Sequence, residues 1–440
     1  MRYSRSSRSG DCARAKGTAP STPLIPRMFT ESLSRPAVGK CPGQAFRGQE
    51  AYGAGSAPER SGRASPALRG IRLRRTDGPD PVGILESTSC KIERETPSGA
   101  SMRHVLSGAG LQVFATCPPS YTAEPRHYLR QVLDVAAWSE AAGCEGILIY
   151  TDNGLVDPWT VAHAIVAGTQ RLTPLVAVQP VYMHPYTVAK IVTSLAFFYG
   201  RRTYLNMVTG GFKNDFTALN DQTPHDERYA RIVEYTAIIQ DLLKGEPVTR
   251  SGRHYAVTNL KLAPALPPDL APGVMISGSS PAGLDAARQL GALAVQYPKP
   301  ADQQEPPPEG VTALGIRVGI VTRETSAEAW AVARARFPED RKGQLTHQLA
   351  MKVSDSQWHQ QLSELGQVRP EDQSPYWMVP FENYKTFCPY LVGSYDRVAD
   401  ELARYVALGY RTVILDVPAS PVELEHTGHA FFRATERVPA

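Results

Sequence analysis

Residues Tyr204-Leu205-Asn206-Met207-Val208-Thr209-Gly210-Gly211 form an apolar strand running into a glycine pair, and a polar loop then leads to Thr223-Pro224-His225-Asp226-Glu227-Arg228-Tyr229. Ile232, Tyr235, Ile239 and Leu242 follow at spacings of three and four, so the second segment opens a long helix, closed by Lys244-Gly245. Thr223 suits the N-cap and Pro224 the first helical position. Asp226 falls third, where its carboxylate could reach back as in a capping box. His225 and Arg228 then share a face one turn from the positive end of the helix dipole. A loop after a strand that gathers Asn, His, Arg and Tyr is how catalytic mouths are built on parallel barrels.

Working outward, 111–116, 146–150 and 175–179 read as strands, and 128–142, 158–168 and 187–199 as the helices between them. These strands are almost continuously apolar, the pattern of a parallel sheet covered on both faces. Downstream, 273–277 is a strand feeding a helix over 281–290, and 292–296, 314–321 and 412–416 are further strands. With 204–208 that makes eight, the number that closes a barrel. The expected fold is therefore α/β, a (β/α)8 TIM barrel over residues 109–440. Two stretches break the alternation. Residues 247–268 read as a small hairpin and loop. Residues 337–390 form an insertion before the last βα unit, with a helical piece near 341–364 and an aromatic segment over 376–390, and are expected to lie as a lid over the mouth.

Charge separates the start of the chain from this body. Residues 1–108 carry 18 Lys and Arg against 9 Asp and Glu, or +9, while the remainder carries 29 against 34, or −5, for a total of +4. The basic balance thus belongs to the first segment and gives the body no reason to bind nucleic acid. That segment is rich in Ser, Gly, Pro and Ala without an apolar period, so it is expected to be a disordered basic extension, with Met102 a natural start for the body. Its Arg- and Ser-rich, acid-poor opening weakly resembles a transit peptide, and it lacks the apolar core of a secretory signal. Six cysteines without a C-x-x-C pair suggest neither a disulfide framework nor a zinc site. No apolar run reaches membrane-span length, so a cytoplasmic protein is expected.

Each candidate site residue also has a plainer role open to it. Gly278-Ser279-Ser280 follows a strand and precedes a helix, where it could cap the helix or hold a phosphate at its positive end. Asn206 shares a strand face with Tyr204 and Val208, with Thr209 at the strand end; it could be a satisfied buried amide or the partner of a planar heteroaromatic ring. His225 and Arg228 could make ion pairs with Asp226 or Glu227, or act on a substrate. His184 reads as a local hydrogen-bonding residue. No phosphate-loop, zinc-protease or nucleophile-elbow motif is present, and Gly108-Ala109-Gly110 precedes a strand, so it is not a dinucleotide fingerprint.

In order, Asn206-Met207-Val208-Thr209-Gly210-Gly211, His225-Asp226-Glu227-Arg228-Tyr229 and Ile276-Ser277-Gly278-Ser279-Ser280 resemble the bacterial luciferase-like flavin monooxygenases, within them the alkanesulfonate monooxygenase branch. The likeness spans most of 110–435 and includes 174–180, Gly315-Ile316-Arg317, 322–325 and 391–394. It implies a TIM barrel that binds reduced FMN, with the phosphate near Tyr229, Gly278, Ser279 and Ser280 and the ring near Asn206, Val208 and Thr209. It further implies reaction with dioxygen on a small-molecule substrate, and a separate NAD(P)H-dependent flavin reductase that supplies the FMN; by their own chemistry His225, which can transfer protons, and Arg228, which suits a peroxide oxygen or an anionic head group, are the expected catalytic pair. A homo-oligomer is expected, without metal, membrane or nucleic-acid partners. Leu155 stands where that branch has a cysteine, and Cys117-Pro118-Pro119 where it has a histidine, so the flavin half resembles the branch more than the substrate half. A deazaflavin-dependent oxidoreductase and a non-catalytic flavin-binding protein are the competing expectations.

Overall fold

The computed structural model describes residue 106 and residues 110–306, 309–354, 356–365 and 374–438. The expected extension, 1–108, lies outside these residues apart from Leu106, which is buried and donates its backbone N–H to the Ala142 carbonyl.

The chain alternates as expected. β1 (Gln112–Thr116), α1 (Pro125–Ala141), β2 (Gly146–Ile149), α2 (Pro158–Gly168), β3 (Thr173–Val178), α3 (Pro185–Tyr199) and β4 (Tyr204–Met207) succeed one another. A short α4 (Lys213–Ala218), the long α5 (His225–Leu243) and the hairpin β5 (Val248–Ser251) and β6 (Ala256–Leu260) come next. Then come β7 (Val274–Ser277), α6 (Pro281–Leu290), β8 (Leu293–Gln296) and β9 (Leu314–Arg323). Prolines open α1, α2, α3 and α6, where the missing N–H costs nothing and the fixed φ favours the helix. His184 caps α3, its Nδ1 accepting from Tyr186 N.

The insertion divides in two. α7 (Ser326–Arg336) leads to α8 (Arg341–Val353) and α9 (Gln357–Glu364), and these last two reach the β4–α4 loop, where Phe212 pairs with Ser354. β10 (Tyr376–Trp377), α10 (Val379–Glu382) and β11 (Tyr390–Ser394) come next; α11 (Tyr395–Ala407), β12 (Tyr410–Leu415) and α12 (Pro421–Glu436) complete the chain. β9 is longer than its pattern suggested. Its first half belongs to the barrel, while Gly319 to Arg323 pair in parallel with β11, to which β10 adds antiparallel. Trp330, Trp377, Cys388, Tyr390 and Val392 fill a second core beneath this side sheet, so part of the aromatic segment is core rather than cover. Among the described residues no helix is long and apolar enough to cross a membrane.

β1, β2, β3, β4, β7, β8 and β9 are joined in parallel, and β12 closes the ring between β9 and β1, giving the eight-stranded barrel. Phe114, Leu148, Leu175, Tyr204, Met275, Val295 and Ile414 point inward and pack together as an apolar plug, Phe114 and Tyr204 edge to face. The other strand face packs against the helices.

The start of α5 departs from the expected capping box. The helix begins at His225, Pro224 takes the cap position, and no side chain caps it. Thr223 instead gives both its N–H and its hydroxyl to Asp221 Oδ1 (3.1 and 2.6 Å), while Asp221 Oδ2 pairs with Arg231 at 2.7 Å. Burial raises the Asp221 pKa, but hydrogen bonds from Arg231 and Thr223 outweigh it and hold the carboxyl below its ordinary range. A charged, nearly buried acceptor competes better for Thr223 than the helix end does.

Candidate active site

The cavity sits on the plug, at the C-terminal ends of the barrel strands. Side chains alternate along a strand, so the residue two beyond each plug residue also points inward. Leu148, Leu175, Tyr204, Met275 and Val295 are thus followed by Tyr150, Ala177, Asn206, Ser277 and Tyr297, and all five line the cavity. β9 supplies Arg317, and Gln179 comes just after β3. From above, Ser354, Ser356, Gln357, Trp358, His359 and Phe387 of the insertion close over it. Trp358 stacks on Tyr297 with ring centres 3.7 Å apart, and Ser354 Oγ donates to the Gly211 carbonyl at 3.3 Å.

Most of the residues singled out in the sequence meet here. Asn206, Val208, Thr209, His225, Tyr229, Ser279 and Ser280 all line the cavity. Asn206 is buried, its Oδ1 accepting from the Ser277 hydroxyl at 2.7 Å. Burial raises the Tyr229 pKa, opposed by hydrogen bonds with Ser280 and Thr209, which places those three residues in one polar cluster. Ser280 caps α6, its Oγ accepting from Gly283 N at 3.1 Å. Gly278 has φ +155°, and a Cβ there would lie 2.5 Å from the Tyr229 hydroxyl. Only glycine lets the strand end and the tyrosine approach this closely.

His225 stands between the cavity and an outer cleft lined by Lys213, Asp226, Gln357 and Gln360. Its ring packs edge to face on Tyr229, and Nδ1 lies 2.7 Å from Asp226 Oδ1. An ionised carboxylate only accepts, so Nδ1 carries the proton and Nε2 is the nitrogen left for other chemistry.

Arg228 is placed differently from expectation. It is buried but does not line the cavity: its guanidinium lies 4.3 Å above the Phe216 ring and Nη1 donates to the Thr223 carbonyl at 3.0 Å. Phe216 belongs to α4, a helix the loop reading did not anticipate, and it lines the cavity itself.

The sequence reading did not single out Tyr150, Gln179, Ser277, Tyr297, Arg317, Trp358 or His359 as site residues. The first four stand at or just beyond strand ends, so counting in twos from the plug finds them once the registers are known. His359 is held neutral: burial and the neighbouring His347 push its pKa down to about 4. Arg317 is 4% exposed, with its guanidinium 4.7 Å from the Tyr150 ring centre.

Barrel, strand-end cavity and a glycine-serine turn at a helix N-terminus together define a TIM-barrel enzyme with its cavity at the strand ends. The model of the luciferase-like monooxygenases matches residues 111–412, and the chain belongs to that family of flavin-dependent enzymes. It is 32% identical over 309 residues, 68% of this chain and 90% of the relative, to the Niallia circulans monooxygenase BtrO, which acts on 4-(gamma-L-glutamylamino)butanoyl carried by the acyl-carrier protein BtrI. Among solved structures, EDTA monooxygenase from Chelativorans sp. BNC1 superposes with a TM-score of 0.54 at 15% identity, covering 75% of this chain and 95% of that one. The coenzyme F420-dependent tetrahydromethanopterin reductase of Methanopyrus kandleri gives 0.51 at 15% identity, covering 74% and 98%. At such identities these two likenesses show the shared fold.

Proposed function

We propose that this chain is a monooxygenase that takes reduced FMN from a separate NAD(P)H-dependent flavin reductase and uses dioxygen to oxygenate an acyl chain presented on an acyl-carrier protein. The observation that carries the flavin half is the convergence of Asn206, Val208, Thr209, Tyr229, Ser279 and Ser280 on one cavity. The residues fit the group. The turn at Gly278 brings the Tyr229 hydroxyl against the backbone, so tyrosine, both serines and the start of α6 offer donors to a phosphate. Asn206, its amide oriented by Ser277, offers hydrogen bonds to a ring edge. Bound there, reduced FMN would supply the electrons for dioxygen activation.

The remaining work falls to the protein. Trp358, stacked on Tyr297, and the rest of the α8–α9 cover exclude water from the mouth, the lid role expected of 337–390. His225, with Asp226 fixing its tautomer, moves a proton at Nε2. Arg228 is a positioning residue that ties α5 to the Thr223 carbonyl and the face of Phe216. The acyl substrate is favoured by the likeness to BtrO over most of its length. An alkanesulfonate is less favoured, since Leu155 lines the cavity where that branch has a cysteine. We take the enzyme to be cytoplasmic and homo-oligomeric.

The test titrates the full chain anaerobically with reduced FMN and, separately, with a reduced deazaflavin. It is then supplied with 4-(gamma-L-glutamylamino)butanoyl thioester under 18O2. Tight FMN binding and one labelled oxygen in the product are expected. Preference for the deazaflavin, or FMN binding without label in any acyl thioester offered, would sink the reading.

A further inference from the structure

Arg317 is a buried cation whose bonding is incomplete. Its side chain is 5% exposed and it lines the cavity, yet Nε and Nη2 have no hydrogen-bond partner among the described residues. Burying a guanidinium without acceptors is costly, and its stacking on Tyr150 supplies none. Nε and a terminal nitrogen form one edge of the planar fork, the edge that meets a carboxylate through two parallel hydrogen bonds.

The neighbouring charge refines the ligand. Asp416 comes just after β12, two residues beyond the plug residue Ile414; it stands beside Arg317 rather than among the cavity-lining residues, and its Oδ1 lies 3.9 Å from Arg317 Nη2, outside hydrogen-bond reach. Its Oδ2 accepts from the Tyr390 hydroxyl at 2.7 Å, which holds the carboxylate in place. A carboxylate alone would meet the fork but also the Asp416 charge. A group with both signs meets neither conflict: its carboxylate spans Nε and Nη2 while its ammonium lies on the Asp416 side of the guanidinium, with no net charge added to a desolvated site.

We infer that Arg317 and Asp416 form the receptor for an α-amino acid head group, carboxylate plus ammonium, at the end of the second substrate. This rests on the reading of the cavity as a monooxygenase site. β8 separates β9 from β7, and β12 lies four strands from β4, so Arg317 and Asp416 sit on other strands than those that carry the residues assigned to the flavin. The substrate named for BtrO ends in a gamma-glutamyl group, whose free end is a head group of this class.

Three neutral-tailed probes test the receptor by calorimetry on the flavin-free full chain: 4-(gamma-L-glutamylamino)butanamide, its glutaryl analogue without the ammonium, and its α-amide without the carboxylate. Wild type should bind the first most tightly. R317Q should lose roughly 100-fold for it, the worth of a bidentate charged contact, and R317K, which keeps charge and bulk but not the fork, about tenfold. D416N should lose affinity for the first probe while gaining for the glutaryl analogue. Reduced-FMN titrations and melting curves run in parallel, so a failure of the monooxygenase reading shows as lost FMN binding and leaves the probe result standing. Wild type that binds none of the probes, or the glutaryl analogue as tightly as the parent, would overturn the inference. So would R317Q and R317K that bind the parent as wild type does, or that weaken only reduced FMN, which would assign the fork to the flavin.

Discussion

At Gly278 a single hydrogen atom separates a working turn from a clash. With φ at +155° and the Tyr229 hydroxyl 2.5 Å from any added Cβ, Gly278→Ala should cost about 1–3 kcal/mol of local strain and displace Tyr229. Reduced-FMN affinity should fall at least tenfold, read by anaerobic fluorescence titration; an unchanged affinity would detach Tyr229 from the phosphate. His225 and Arg228 separate in the same way. His225→Ala should lower kcat about 100-fold with reduced-FMN affinity kept, as for removal of a proton-transfer group. Arg228→Ala should instead lower the melting temperature and affect turnover only through a loosened α5 start, so full activity at low temperature is expected. Asn206 was legible because period two put it on the face of Tyr204. The surroundings of Arg228 were not legible, because helical spacing gives a face but cannot say that Phe216, from α4, will pack on its guanidinium.

Among the elements, α9 and the turn that joins it to α8 line the cavity, and the proposed cover they make is tied to neutral imidazoles. Burial lowers the pKa of His347, and burial with His347 lowers His359 to about 4, both packed around Phe381. The ordinary value is about 6.5, so the neutral packing contributes fully above that pH and is progressively lost as pH falls from about 6.5 to 4. Trp358 emission and amide exchange in α9 should report opening over that window, and His359→Phe should flatten its lower end. A profile that opens instead on alkalinisation would contradict this. The insertion was visible as an interruption of the βα alternation, and its helices were in the pattern. Its division was not: Tyr376 to Tyr390 are aromatic in any arrangement, and only the pairing of β10 and β11 with the far half of β9 decides which rings become core.

For the molecule as a whole, the absence of a dinucleotide fingerprint and the form of the cavity give a kinetic expectation. Turnover should run on photochemically reduced FMN without nicotinamide, NAD(P)H alone should support none, and adding a flavin reductase should restore it. Oxygen uptake with NADPH and oxidised FMN alone would show a built-in reductase activity and refute the two-component arrangement. Local chemistry written along the chain determined the barrel, because apolar strands, N1 prolines and a glycine-serine turn act within a few residues of themselves. Asn206, Tyr229 and Ser279-Ser280, far apart along the chain, were readable together only through the resemblance that their order carries. Tertiary structure alone decided the rest. Strand register set which side chains stand on the plug, and so brought Arg317 within 3.9 Å of Asp416 across 99 residues of chain, a contact that no local period encodes.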